Sequence, residues 1–387
     1  MIISGDIFDV GIPEMSSVRS AVRKLRELDR NDIPAYVVYG SHDYSPTTVS
    51  FVDVLTSAGL FVNVGEFVEK EQHEEKLMLR SVTDEKTGVK ITGLPARRGG
   101  LETGLYKRLD ASKLVEEENP ESYSVFVFHA SINELQSLNI PIEQSLSISE
   151  LPKGFSYYAG GHLHKRSLGD VDSSPVVYPG PLFGTSYSDL ELTAKGEPRG
   201  FAIVEFDGSR TRKVGFANLS MPKILSKVVN ADGKSAAEVG EELERYASKE
   251  DLDVSGAIFL LKVRGTLSSG RPYDIDWFGF RRKIQSRGAI VVNVNRAGLS
   301  SQELRKLARL GTTSREEIET KLLTERLGNS DSALSAPKAK SLLKALKSEK
   351  REEETKQSFE RRILGEASQI LDFPLASEDR KTGAVSR

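Results

Sequence analysis

Apolar positions along this chain follow two patterns, and their alternation predicts a mixed α/β protein. Short apolar runs closed by glycine or polar residues read as strands, at 35–39, 76–81, 89–93, 124–128, 155–159, 175–178 and 200–206, with Ile2-Ile3 as the end of another. Between residues 14 and 30 the spacing changes. Val18, Val22, Leu25 and Leu28 recur at helical intervals there, with Ser16 or Ser17 available as a cap. The segment Asp84-Glu85-Lys86-Thr87-Gly88 predicts a hairpin turn. A strand-rich order with interspersed helices predicts two stacked sheets flanked by helices.

The pattern predicts a second unit from residue 212 onward. Strand-like segments at 213–216, 257–263 and 289–294 alternate with helices at 235–248 and 274–285, a small α+β domain. After Gly311 a charged helix is expected at 314–326, then a linker at 328–337, then a highly charged helical segment at 338–371. The predicted division is therefore 1–211, 212–311, 312–337 and 338–387.

Composition changes this picture little. A chain of 387 residues with 38% hydrophobic and 28% charged residues has room for two or three ordinary cores. Zero cysteines exclude disulfides and thiolate ligands, which fits a cytoplasmic protein. No apolar run reaches the roughly 20 residues of a bilayer span, so no membrane role is expected. With a net charge of −2, any nucleic-acid contact must rest on local basic patches or bound cations.

Histidine carries the chemical signal. The chain has 5, and four of them sit in three short segments: Gly40-Ser41-His42-Asp43, His129 after an apolar run, and Gly161-His162-Leu163-His164. Gly5-Asp6-Ile7-Phe8-Asp9 precedes them with two carboxylates. Each segment ends a predicted strand, where α/β enzymes gather reactive groups. Imidazoles and a bridging carboxylate suit a pair of divalent cations about 3.5–4 Å apart, which activate water and clamp a phosphoryl group. Asp6 suits the bridge, and His162 and His164 share one side of an extended backbone. Such mixed ligation favours manganese, iron or zinc over magnesium.

These segments resemble motifs two to five of the calcineurin-like metallophosphoesterases, and their order resembles the Mre-eleven/SbcD family of DNA double-strand-break repair nucleases. Tyr178-Pro179-Gly180 resembles that family's Tyr-Pro-Gly loop. The resemblance implies a two-sheet metallophosphoesterase sandwich, then a capping domain and a helical tail. It implies two Mn2+ ions, with Fe2+ or Zn2+ as alternatives. Asp6 would bridge them, His129 and His162 would hold one, and His164 the other. His42 would face the scissile phosphate as the catalytic group, and Asp43 would orient that imidazole or its loop. Ser41 stands where the superfamily places Asn, as a direct ligand or one acting through water. The family also carries an upstream Asp-x-His segment, so an upstream start or a truncated chain, with one metal site impaired, is expected.

The tail adds a partner. Phe359, Ile363, Ile370 and Leu371 form an apolar set at helical spacing, with a second cluster at Leu342, Leu343 and Leu346. By resemblance this tail docks on an SMC-like coiled-coil ATPase of the Rad-fifty/SbcC type, within a heterotetramer built on a homodimer. The implied reaction is metal-dependent hydrolysis of DNA, exonucleolytic on duplex ends and endonucleolytic on single strands. Two rivals stand beside it: a phosphoesterase for small phosphoesters, and a non-catalytic scaffold that binds DNA and the ATPase. Plainer readings cover His73 as a surface residue, Asp9 as a cap or turn, and Pro179-Gly180 as an ordinary turn. Arg97-Arg98-Gly99-Gly100 and Lys165-Arg166 read as phosphate contacts or as solvated surface.

Overall fold

The computed structural model describes residues 1–45, 49–69, 77–97, 102–109, 122–136, 145–302, 323, 327, 334–348, 354 and 356–371. The chain is a mixed α/β protein with several sheets, and it divides into two compact units. One comprises Met1–Val229, Leu243–Val263 and Trp277–Ala297; the other comprises Asn230–Glu242, Arg264–Asp276 and Gly298–Arg387.

The first unit contains a six-stranded sheet in the order Ser167–Val171, Ser174–Tyr178, Tyr157–Gly161, Ser124–His129, Lys90–Leu94, Ser81–Thr83. Its four inner strands are parallel and its two edge strands antiparallel. Ser124–His129 is buried along its whole length, which explains why it reads as an unbroken apolar run. On one side Phe126, Phe128, Tyr158 and Tyr178 pack with Leu77, Leu94, Ile132 and Leu146. On the other, Val125, Val127, Tyr157, Ala159 and Val177 share a core with Tyr36, Val38 and Val64. Each large apolar side chain withdrawn from water contributes about 1.5–3 kcal/mol before ordering costs.

A second, three-stranded sheet of the same unit runs Ile2–Ile3, Tyr36–Val37, Val62–Asn63, all parallel. The helix Met15–Arg30 buries Val18 and Leu25 against it, beside the helix Phe51–Ser57, which buries Val52 and Leu55. The expected serine cap is absent: Glu14 is the N-cap, makes no side-chain cap bond, and Ser16 and Ser17 lie inside the helix. The expected strand 35–39 is only Tyr36–Val37, because the chain leaves the sheet once the Gly40 N–H turns to the Asp43 carboxylate. The expected strand 76–81 changes partner at Arg80: Leu77–Leu79 pairs with Phe67–Glu69, whereas Ser81–Thr83 pairs with the strand ending at Leu94. The hairpin Gly200–Asp207 and Arg210–Asn218 turns Ala202, Val204, Val214 and Phe216 into the second core, and the predicted boundary at 211/212 falls inside its second strand.

Later in the first unit, the start of the strand Ile258–Leu267 pairs in parallel with Val291–Asn295. The helix Trp277–Ser286 buries Phe280 and Ile284 there, and the Arg296 guanidinium lies 5.8 Å from the Trp277 ring centre. A 3-10 turn at Pro272–Asp274 replaces the expected beginning of that helix. In the second unit, residues 265–267 pair with Leu299–Ser301. The tail predicted as one helical run is two helices, Ala336–Leu346 and Lys356–Leu371, that pack together. Pro337 belongs to the first of them rather than to a linker, since proline fits a first helical turn. Nearly all of the expected helix 314–326, most of the expected linker, His73, Arg98, Gly99 and Gly100 lie outside the described residues.

Candidate metal centre

Three glycines let the histidine-bearing segments meet. A Cβ on Gly161 would stand 1.8 Å from the Ser4 carbonyl oxygen, one on Gly40 2.1 Å from Asp6 Oδ1, and one on Gly5 2.5 Å from His129 Nδ1. Only a hydrogen fits at these crossings. The backbone is strained at two of the predicted ligands, with φ of 53° at Asp6 and 90° at His162. Non-glycine residues rarely adopt such values, and strained positions concentrate at functional sites.

Asp43 is the clasp of the first two loops. Its buried carboxylate accepts the N–H of Asp6 at 2.8 Å, of Ile7 at 3.0 Å and of Gly40 at 2.8 Å. Burial still outweighs these donors and pushes its carboxyl above the ordinary value. The His42 imidazole is instead held through Nδ1, 2.6 Å from the Asp9 carbonyl oxygen, and the ring is otherwise exposed. Asp9 does more than shape a turn, because its carboxylate also accepts the Thr185 hydroxyl at 2.9 Å.

At the centre, Asp6 Oδ1 accepts the His42 N–H at 2.8 Å, and Oδ2 lies 3.2 Å from His129 Nε2. Burial raises the Asp6 carboxyl, but the His129 imidazole and the His42 amide outweigh it and hold it at about 2. His129 is 2% exposed, and its Nδ1 lies 2.7 Å from the Ser4 carbonyl oxygen. A carbonyl only accepts, so Nδ1 donates to it and Nε2 is the ring nitrogen turned to the Asp6 carboxylate. Nε2 is buried, close to a carboxylate, and without a hydrogen-bond partner. Two electron-rich groups facing each other call for a proton or a cation between them.

His162 packs edge-on against His129, ring centres 5.2 Å apart. Burial, reinforced by the neighbouring His129, lowers its pKa to about 4, so it is an uncharged imidazole at neutral pH. His164 Nδ1 lies 2.9 Å and 3.0 Å from the two carboxylate oxygens of Asp189, which raise its pKa. Ser41 is half-buried between Gly40 and His42. Among the described residues, no three histidine, aspartate or glutamate side chains already form a closed metal cage. The donor set nonetheless fits a divalent cation, because the orphaned His129 Nε2 and the ionised Asp6 face one another.

Asp189, Arg199 and the carbonyls of Ser4 and Asp9 were not anticipated. Asp189 had a signal in Ser186-x-x-Asp189, a capping box for the helix Tyr187–Ala194. Carbonyl acceptors carry no residue-type signal. Arg166, a candidate phosphate contact, is committed elsewhere: its guanidinium covers the Phe216 ring at 4.1 Å and donates to Asn218 at 2.8 Å.

No family model matches the chain. Its curated relatives agree with one another. It is 28% identical over 281 residues to the DNA double-strand break repair protein Mre11 of Archaeoglobus fulgidus, an overlap of 66% of this chain and 60% of that protein. The Mre11 of Methanocaldococcus jannaschii is 28% identical over 254 residues, covering 64% and 62%, and that of Thermoplasma acidophilum 26% identical over 280 residues, covering 69% of each. The matched part thus spans about 60% of the length of the first of these relatives.

Proposed function

We propose that this chain, similar over about two thirds of its length to Mre11 DNA double-strand break repair proteins, carries in its first unit a divalent-metal phosphodiesterase that cuts DNA. The observation that carries the reading is the buried His129 Nε2 facing the Asp6 carboxylate with its other ring nitrogen already committed to Ser4. Asp6, His129 and His162 would hold one cation, His162 as an uncharged imidazole, and His164 would serve a second. Bound divalent cations supply an activated water and neutralise charge on the phosphoryl oxygens. Asp43 keeps the two loops in register. His42 presents its free ring nitrogen to the phosphodiester, where it steadies developing charge or gives a proton to the leaving oxygen.

Manganese is the first ion to try, with iron and zinc behind it. The same reading takes DNA ends and single strands as substrates, an SMC-like ATPase as partner and a two-sheet sandwich as the nuclease fold. The test is hydrolysis of linear duplex and circular single-stranded DNA with Mn2+, against chelator and against Asp6→Asn. Cleavage lost in both controls is expected. Hydrolysis of a cyclic nucleotide with DNA untouched would favour the small-phosphoester rival. Tight DNA binding without cleavage in any metal would favour the scaffold.

A further inference from the structure

His164 meets a side chain that the proposed chemistry has not used. Asp189, 3% exposed, brings both carboxylate oxygens to His164 Nδ1. The Ser186 hydroxyl donates to Asp189 Oδ2 at 2.7 Å, and the Ser186 amide does so at 3.3 Å. Arg199, 1% exposed, braces both partners through their main chains. It donates to the His164 carbonyl at 2.7 Å, to the Asp189 carbonyl at 2.8 Å and to the Thr193 hydroxyl at 2.8 Å. The helix carrying Asp189 is fixed in turn within the first unit, where Leu190 packs with Ile258 and Leu260 and Glu191 pairs with Lys262 at 3.1 Å.

We propose that Asp189 is a positioning residue that holds the proton of His164 on Nδ1 and leaves Nε2 free as a metal donor, with Arg199 as its brace. A carboxylate can only accept, so the ring nitrogen facing it must donate. Carboxylate–histidine–metal relays work in this way, fixing ring orientation and tautomer together. The inference rests on the metal-centre reading for its purpose, but the tautomer can be measured without metal.

The isosteric Asp189→Asn tests it. With Ser186 still donating to the amide oxygen, the amide NH2 turns toward His164 Nδ1, makes that nitrogen an acceptor and moves the proton to Nε2. Nitrogen-15 NMR of the metal-free full chain should show His164 as the Nδ1–H form in the parent and the Nε2–H form in D189N. Calorimetric titration with Mn2+ should show affinity about 10–100-fold weaker in D189N. Leu190→Ala, which loosens the helix but keeps the carboxylate and its Ser186 donors, should lower Tm while leaving tautomer and affinity unchanged. An unchanged tautomer in D189N overturns the proposal, and so does an equal loss of affinity in L190A. If the parent binds no Mn2+, the metal reading falls, and the NMR result still decides the positioning role.

Discussion

At the scale of single residues, the site separates groups that face outward from groups that hold. His42 is the outward one: its backbone N–H is bound to Asp6 and its Nδ1 to the Asp9 carbonyl, which leaves the other ring nitrogen open to solvent. His42→Ala should therefore lower the rate of DNA cleavage by about 10²–10⁴ while metal content stays at the parent level. Turnover and bound metal measured on one preparation check this, and loss of both together would make His42 a ligand. The histidines were legible in the sequence because a rare residue type clustered at strand ends signals chemistry. Their supports were not. Ser4 and Asp9 act on imidazoles through carbonyls that every residue possesses, and Arg199 is a single arginine whose burial depends on the folded helix around it.

At the scale of elements, the turn after Ser81–Thr83 connects groups from two sheets. Asp84, 8% exposed, accepts the Tyr36 hydroxyl at 2.6 Å on one oxygen and the Thr87 amide at 3.0 Å on the other. The Thr87 hydroxyl first, and then Tyr36, hold its carboxyl below the ordinary value. A carboxyl depressed in the fold stabilises above its unfolded pKa of about 3.9, and that contribution is lost as pH falls through the lowered value. Asp84→Asn should thus cost about 1–3 kcal/mol at neutral pH, with the gap to the parent closing below about pH 4. Denaturant melts across that range measure it; a gap independent of pH would show that charge plays no part. This hairpin was readable from its turn residues, as were the long inner strands from their apolar runs. The helices Phe51–Ser57 and Tyr187–Ala194 were missed because seven or eight residues show too little periodicity, although both open with capping boxes. The break at Arg80 was invisible because it is a change of pairing partner, which only tertiary structure defines.

At the scale of the molecule, the tail helices give the partner proposal sharper terms. Phe359, Ile363 and Ile370 are half-buried, and Arg362 lies over the Phe359 ring while its guanidinium pairs with Glu354 at 2.8 Å. Among the described tail residues, Leu343, Leu346, Leu364 and Leu371 are the large apolar ones left open. Leu364→Glu with Leu371→Glu should abolish stable association with an SMC-like ATPase and spare cleavage of short DNA, whereas Phe359→Glu should lower the melting temperature of the tail itself. Co-purification and melting curves separate the two, and undiminished association of the double leucine variant would refute the docking face. Trp277 has a further consequence. It is the only tryptophan of the whole chain, and it lies in the first unit beneath Arg296. Selectively excited indole emission therefore reports from one helix of the first unit, while circular dichroism sums over the whole chain. Recording the two signals in one titration shows, without any added label, whether that helix melts with the rest.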